Sequence, residues 1–220
     1  GVQFSRFSAV THPSQGNYVA MTSGDLHGVE NDKTVDLDVQ NIVDLLEARG
    51  LTWKVYAEDY PGNCFKGKSA GNYERKHNPF ISYINIQTNP KRCARIVNAD
   101  EFESDLAKNR LPDYVFFIPN MQDDGHDTNA AFAAKWYESH FASVFKNSEL
   151  MKSTMVVTTF DEGSFFGSNQ IFTSFNGAMV KPQSISQPLN HYSVLKLIEE
   201  NWALGNLGLQ DLTATPVPPI

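Results

Sequence analysis

Asp161 and Glu162 stand side by side at the end of the apolar run MVVTTF and are followed by Gly163. Adjacent carboxylates repel, and each raises the other's pKa unless a cation relieves the conflict. A hard divalent ion bound through oxygen would do so. The same tripeptide is ordinary turn chemistry, but its place at the end of an apolar run favours the metal. After a second apolar run, YVFFI, come Asp123, Asp124, His126 and Asp127 within five residues. A histidine there can ligate a metal or protonate a leaving group. Asp127 is placed to cap the long helix that follows, which leaves His126 for function and Asp124 as a further candidate metal ligand.

Ser14 lies in THPSQGNYVAMTSG, between Pro13 and Gly16, ahead of a short apolar stretch at 18–21 that reads as a helical turn. A helix N-terminus presents unpaired backbone N–H groups that hold phosphate, and a hydroxyl there can serve as a nucleophile once activated. A plain capping role is an equal alternative. The G-x-S-x-G elbow is absent, which weakens an acyl-transfer reading. His77 follows Lys76 in the polar loop YERKHNPF, where the pair could meet an anionic substrate. His191 opens the last helix behind Asn190, a candidate cap. His140 reads as a rim residue of the long helix, and His12 and His27 carry no assignment.

These residues need elements to hold them. Residues 37–49 place Val39, Val43 and Leu46 at helical spacing, closed by Gly50. Residues 52–56, 114–118 and 155–160 read as strands; 100–108, 127–145 and 193–202 read as helices. Apolar rather than alternating strands, separated by helices, predict an α/β fold with a largely parallel sheet and helices on both faces. Ligands in such folds bind beyond the carboxyl ends of the strands, where the DEG and DDGHD segments fall.

Composition narrows the function classes. The chain has 220 residues, 41% of them hydrophobic and 20% charged, the balance of a globular domain rather than a disordered one. A formal net charge of −7 argues against a nucleic-acid partner, which calls for a basic stripe. No apolar run reaches the ~18 residues of a membrane span. Residues 1–12 show no charged and apolar leader, so a secreted form would have lost it. Cys64 and Cys93 sit in Gly/Pro/Asn-rich loops without C-x-x-C spacing. They are either two free thiols or a bridge worth roughly 3 kcal/mol, and a bridge would point outside the cell.

Taken in order, THPSQGNYVAMTSGD, KHNPFISYINI, PNMQDDGHD, TTFDEG and LNHYSVLKLIEENWALG resemble the phosphoesterase family of secreted acid phosphatases and bacterial phospholipases C, in the alkaline-phosphatase-like superfamily. The likeness runs from about residue 4 to residue 211 and implies a single phosphoesterase domain over residues 1–220. It implies Ser14 as the nucleophile, Asn17 as a phosphate ligand, and Asp161 and Glu162 as ligands of a divalent metal that also contacts Ser14. His77 and His126 match histidines that steady the phosphate or protonate the leaving group. Lys76 and His191 become substrate-binding candidates, and a cysteine pair like Cys64 and Cys93 recurs in the fungal enzymes. The implied function is a secreted, metal-dependent acid phosphatase working through a phosphoserine. The alternatives are a phospholipase C-type phosphodiesterase acting on phospholipid head groups, marked by an apolar rim near Ser14, and a catalytically incomplete homologue that binds a phosphorylated ligand. Family members carry a strand ending in Glu-Asn well before the serine motif, and no such strand stands in these residues. Its loss from mid-sheet would leave two neighbours unpaired, at about 1–3 kcal/mol per unsatisfied buried group, so the expectation is an incomplete or processed chain.

Overall fold

The computed structural model describes residues 1–220, which form an α/β structure of two compact units: Gly1–Asp32 with Val144–Ile220, and Lys33–Ser143. In the second unit the strands Ile96–Asn98, Trp53–Ala57 and Tyr114–Ile118 form a sheet parallel throughout, with Trp53–Ala57 central. Trp53, Val55, Tyr56 and Ala57 are fully buried, so this strand has no polar alternation to show. The expected helix at 37–49 starts only at Ile42. Asn41 caps it by accepting from Val43 N–H, and the Asp44 side chain accepts from Asn41 N–H in return. Leu37 bridges to Tyr83 in extended conformation, which takes the preceding residues out of the helix.

Cys64 and Cys93 are joined in a disulfide, their Cα atoms 5.5 Å apart, and none of the chain's cysteines is free. The bridge closes a segment of sequence separation 29, worth about 3–4 kcal/mol through the unfolded state. That segment contains Lys76 and His77.

In the first unit four strands run in the order Gln183–Ile185, Val2–Phe4, Thr173–Asn176 and Val156–Thr159. The first pair is parallel; the other two are antiparallel. The largely parallel arrangement expected holds in the three-stranded sheet, whereas this sheet is mixed: the run at 155–160 forms its strand against the antiparallel Thr173–Asn176. An apolar run encodes burial, not direction. The two-residue strands Phe7–Ser8 and Leu189–Asn190 pair in parallel, each leading toward a site residue. Val2, Phe4, Phe7, Phe175, Ile185 and Leu189 build the core, with the Phe4 and Phe175 rings 4.7 Å apart, edge to face. Helix Ser14–Ser23 packs against helix His191–Asn201, so the two helices that begin at site residues brace one another.

Candidate active site

Ser14 is the first residue of its helix and is almost fully buried. No acidic residue occupies the first turn, so the helix dipole there stays available to an anion. The Ser14 hydroxyl donates to Glu162 Oε1 at 2.7 Å across 148 residues of sequence. The other carboxylate oxygen of Glu162 is held by His12 Nδ1 in a short contact. His12, Ser14 and Glu162 are therefore one constellation. His12 had no sequence assignment, and its only local signal is lying two residues before the serine.

Three side chains fix the geometry, Asn17 and His191 buried and Asn169 half-buried. Asn17 Oδ1 accepts from the N–H groups of Val10 and Thr11, at 3.0 and 3.1 Å, while its Nδ2 donates to Thr11 O. Asn17 thus braces the loop carrying His12, a task its motif position does not announce. Asn169 Nδ2 donates to that same carbonyl at 2.8 Å, and its Oδ1 accepts from Gly163 N–H at 2.8 Å. One side chain thereby ties the serine loop to the Glu162 loop. His191 Nε2 lies 2.7 Å from the carbonyl of Asp161. A carbonyl only accepts, so this nitrogen carries the proton, and burial pushes the His191 pKa down to about 4, keeping the ring neutral. Asn190 caps the helix that His191 opens, as expected. Gly16 is required by contact: a Cβ would meet Thr11 Cγ2 at 2.7 Å and Val29 O at 3.0 Å.

In the unit Lys33–Ser143, Lys76, His77, Asp124 and His126 come together. Buried His77 places Nδ1 3.1 Å from Asp124 Oδ2, and Asp124 Oδ1 accepts from His126 N–H at 2.7 Å. Lys76 Nζ lies 3.2 Å from His126 Nε2, and His126 Nδ1 lies 2.7 Å from Asp127 Oδ1. An ammonium only donates, so Nε2 accepts and the proton sits on Nδ1, shared with Asp127. The expected cap is corrected by this arrangement: the long helix spans Ala130–His140 and is capped by Asn129, which accepts from Phe132 N–H, because the helix starts too late for Asp127 to reach. Glu58 is a residue that sequence reasoning misses. Burial, followed by the neighbouring Asp123 and Asp59, raises its pKa to about 8 against the pull of the Asn120 N–H. It sits just past the carboxyl end of Trp53–Ala57. His140 is half-buried and stacked on Trp136 at 4.8 Å, inside an aromatic cluster rather than at a rim.

The donors around Ser14 are of the oxygen type that a hard divalent ion takes. Their number is short of a full coordination shell: nowhere in the chain do three or more His, Cys, Asp or Glu side chains group to hold a metal. Asp124 is engaged with His77 and His126. The fit is partial, with Ser14 and Glu162 converging and Asp161 adjacent in sequence.

Comparison with known proteins identifies the family and the fold. The model of the Phosphoesterase family matches residues 4–205. An acid phosphatase of Aspergillus fumigatus is 38% identical over 228 residues, covering 97% of this chain and 51% of that protein. A phosphatidylinositol-3-phosphatase of Mycobacterium tuberculosis is 32% identical over 223 residues, covering 100% of this chain and 71% of that protein. A solved structure of a protein in the alkaline phosphatase superfamily from Vibrio parahaemolyticus superposes with a TM-score of 0.65 at 14% identity, over 99% of this chain and 62% of that one. The fold is that of the alkaline phosphatase superfamily. The chain spans about half the length of the fungal relatives it matches.

Proposed function

Because the chain belongs to the phosphoesterase family, we propose that it hydrolyses phosphate monoesters with Ser14 as nucleophile. The observation that carries this reading is the Ser14 hydroxyl at a helix N-terminus, 2.7 Å from Glu162 Oε1. As the Ser14 oxygen forms its bond to phosphorus and the ester P–O bond breaks, the hydroxyl proton passes to Glu162, whose second oxygen is held by His12. The N-terminal amides of helix Ser14–Ser23 hold the charge that develops on the phosphoryl oxygens. Water then hydrolyses the phosphoserine and returns the enzyme.

The leaving oxygen takes its proton from water. Lys76, His77 and His126, gathered in the unit Lys33–Ser143, form a cluster of the kind that binds an anion. His191 acts by holding the Asp161 carbonyl rather than by touching substrate. A divalent cation fits this scheme in part: Ser14, Asp161 and Glu162 would be its donors from this chain, and it would supply charge neutralisation at the phosphoryl group. The disulfide, a bond that persists outside the cytosol, supports an extracellular setting, and the net charge of −7 does not suit a nucleic-acid partner.

The test is a Ser14→Ala variant. Loss of turnover on a phosphomonoester, with acid-quench trapping of a phosphoenzyme in the parent but not in the variant, supports the reading; full activity in the variant ends it. A phospholipase C-type activity is the second reading, favoured by two exposed phenylalanines after Glu162, Phe165 and Phe166. A choline phosphodiester assayed beside the monoester separates the two. If the purified protein neither binds a divalent ion nor turns over either ester, the phospho-ligand-binding alternative replaces both.

A further inference from the structure

The loop after Glu162 holds two phenylalanines where water reaches most of their surface: Phe165 is 78% exposed and Phe166 91%. Their rings meet edge to face at 5.4 Å, and the Phe165 ring lies 5.8 Å from that of His12. His12 holds Glu162, and Glu162 accepts from the Ser14 hydroxyl, so Phe165 is three contacts from the nucleophilic oxygen. The root of the loop is fixed by Asn169 on Gly163 N–H, and Ser164 Oγ donates to Phe166 O at 3.1 Å. The segment that carries them is uncharged: no Asp, Glu, Lys or Arg occurs from residue 163 to residue 180, in a chain that is 20% charged overall. Phe172, in the same stretch, is also more than half exposed. Exposed aromatic groups beside a reaction centre, on a segment that carries no charge of its own, match a ligand that is apolar next to its phosphate.

We propose that Phe165 and Phe166 form the leaving-group subsite of this enzyme and select phosphate esters whose leaving group is an uncharged apolar body. This rests on the reading of Ser14 as the phosphoryl acceptor. The phosphoryl group is held at the helix N-terminus, and the apolar body lies against the two rings, shedding water from both surfaces. Ring-on-ring contacts of this kind are worth about 2- to 10-fold in affinity each. The subsite therefore acts on KM and not on the chemical step. Phe165 and Phe166 are specificity residues, whereas Ser14, Glu162 and His12 carry the reaction.

The experiment compares the wild-type protein with the Phe165→Ser/Phe166→Ser variant on three esters: 1-naphthyl phosphate, glycerol 1-phosphate, and phosphatidic acid dispersed in phosphatidylcholine vesicles. Both positions are solvated, so the fold tolerates serine, and a matching thermal melt checks this. The expected result is a 3- to 30-fold rise in KM for the naphthyl ester in the variant, with its kcat unchanged and glycerol 1-phosphate unaffected. A parallel loss on phosphatidic acid assigns lipid esters to the same subsite, whereas a loss confined to the naphthyl ester assigns soluble aryl esters. An unchanged preference in the variant, or an equal fall on all three esters, overturns the proposal while leaving Ser14 in place. If the wild type turns over none of the three, the hydrolase reading fails. Calorimetric binding of 1-naphthyl phosphate then decides the subsite on its own, through weaker binding in the variant or none.

Discussion

Replacing Glu199 by Gln should move the pH of maximum stability toward neutrality. Helix His191–Asn201 carries opposed titrating groups at its two ends. Glu199 is buried against the Asp211 carboxylate, which itself accepts from the N–H groups of Leu207, Gly208 and Leu209; the Glu199 Oε1 atom has no partner. Lys196 is the nearby cation, and it donates to the carbonyl of Leu212. Burial, and next the charge of Asp211, raise the Glu199 pKa from an ordinary 4.5 to about 8. The folded state then keeps a proton that the unfolded chain releases. The contribution is complete below about pH 4.5 and is lost as pH rises through 8, at about 1.4 kcal/mol per pH unit and on the order of 5 kcal/mol in all. His191 works the other way. Its pKa falls from 6.5 to about 4, so its contribution is complete above pH 6.5 and is lost as pH falls toward 4, on the order of 3 kcal/mol. Between pH 4.5 and 6.5 the two slopes cancel, and these groups give an acid plateau that falls away on both sides. Urea unfolding from pH 4 to pH 8.5 measures it. Glu199→Gln removes the alkaline fall and leaves stability rising to about pH 6.5 and then flat with respect to this pair. His191→Phe, which keeps a ring beside Phe7 at the cost of the bond to Asp161, should instead fall steadily above pH 4.5. Equal pH profiles for the wild type and Glu199→Gln would refute the argument.

Further perturbations test other links. Glu162→Gln keeps the shape of the side chain but cannot accept the Ser14 proton, so kcat should drop by about 10²- to 10⁴-fold with little change in melting temperature; steady-state kinetics beside a melt reads both. Paired Cys64→Ser and Cys93→Ser substitutions should cost about 3–4 kcal/mol in denaturant unfolding, since they open the segment that carries Lys76 and His77. Gly16→Ala should raise KM and lower stability by about 1–3 kcal/mol, because its methyl group meets Thr11 and the Val29 carbonyl at the N-terminus proposed to hold the phosphoryl group.

Which parts of this molecule can be read from its sequence follows from the range of the forces involved. Strands Trp53–Ala57 and Tyr114–Ile118 announce themselves because burial turns a whole segment apolar, and that is a local fact. The orientation of Val156–Thr159 is not local. It depends on Thr173–Asn176 folding back beside it, and its own residues look the same either way. Helix starts show the same limit at finer scale: Asp127 and Asn129 can both cap, and the register of the first turn, set by packing, selects Asn129.

At the site the distinction sharpens. Residue types that could do chemistry are visible wherever they cluster in sequence, as Asp161 with Glu162 and Asp124 with His126. Roles that depend on a distant partner are not. His12 gains its meaning from Glu162, 150 residues away, and Glu58 from burial that nothing in its neighbours declares. Asn17 and His191 illustrate the converse. Their motif positions suggest direct contact with substrate, yet their polar atoms are engaged with backbone: Asn17 with Val10 and Thr11, His191 with the Asp161 carbonyl. A motif therefore preserves two kinds of residue that sequence cannot tell apart, those that react and those that hold the reacting loops in register. If that division is right, Asn17→Ala and His191→Ala should depress kcat through misplacement of His12 and Glu162, and should lower stability in the same measure, whereas Ser14→Ala should abolish turnover and leave stability untouched.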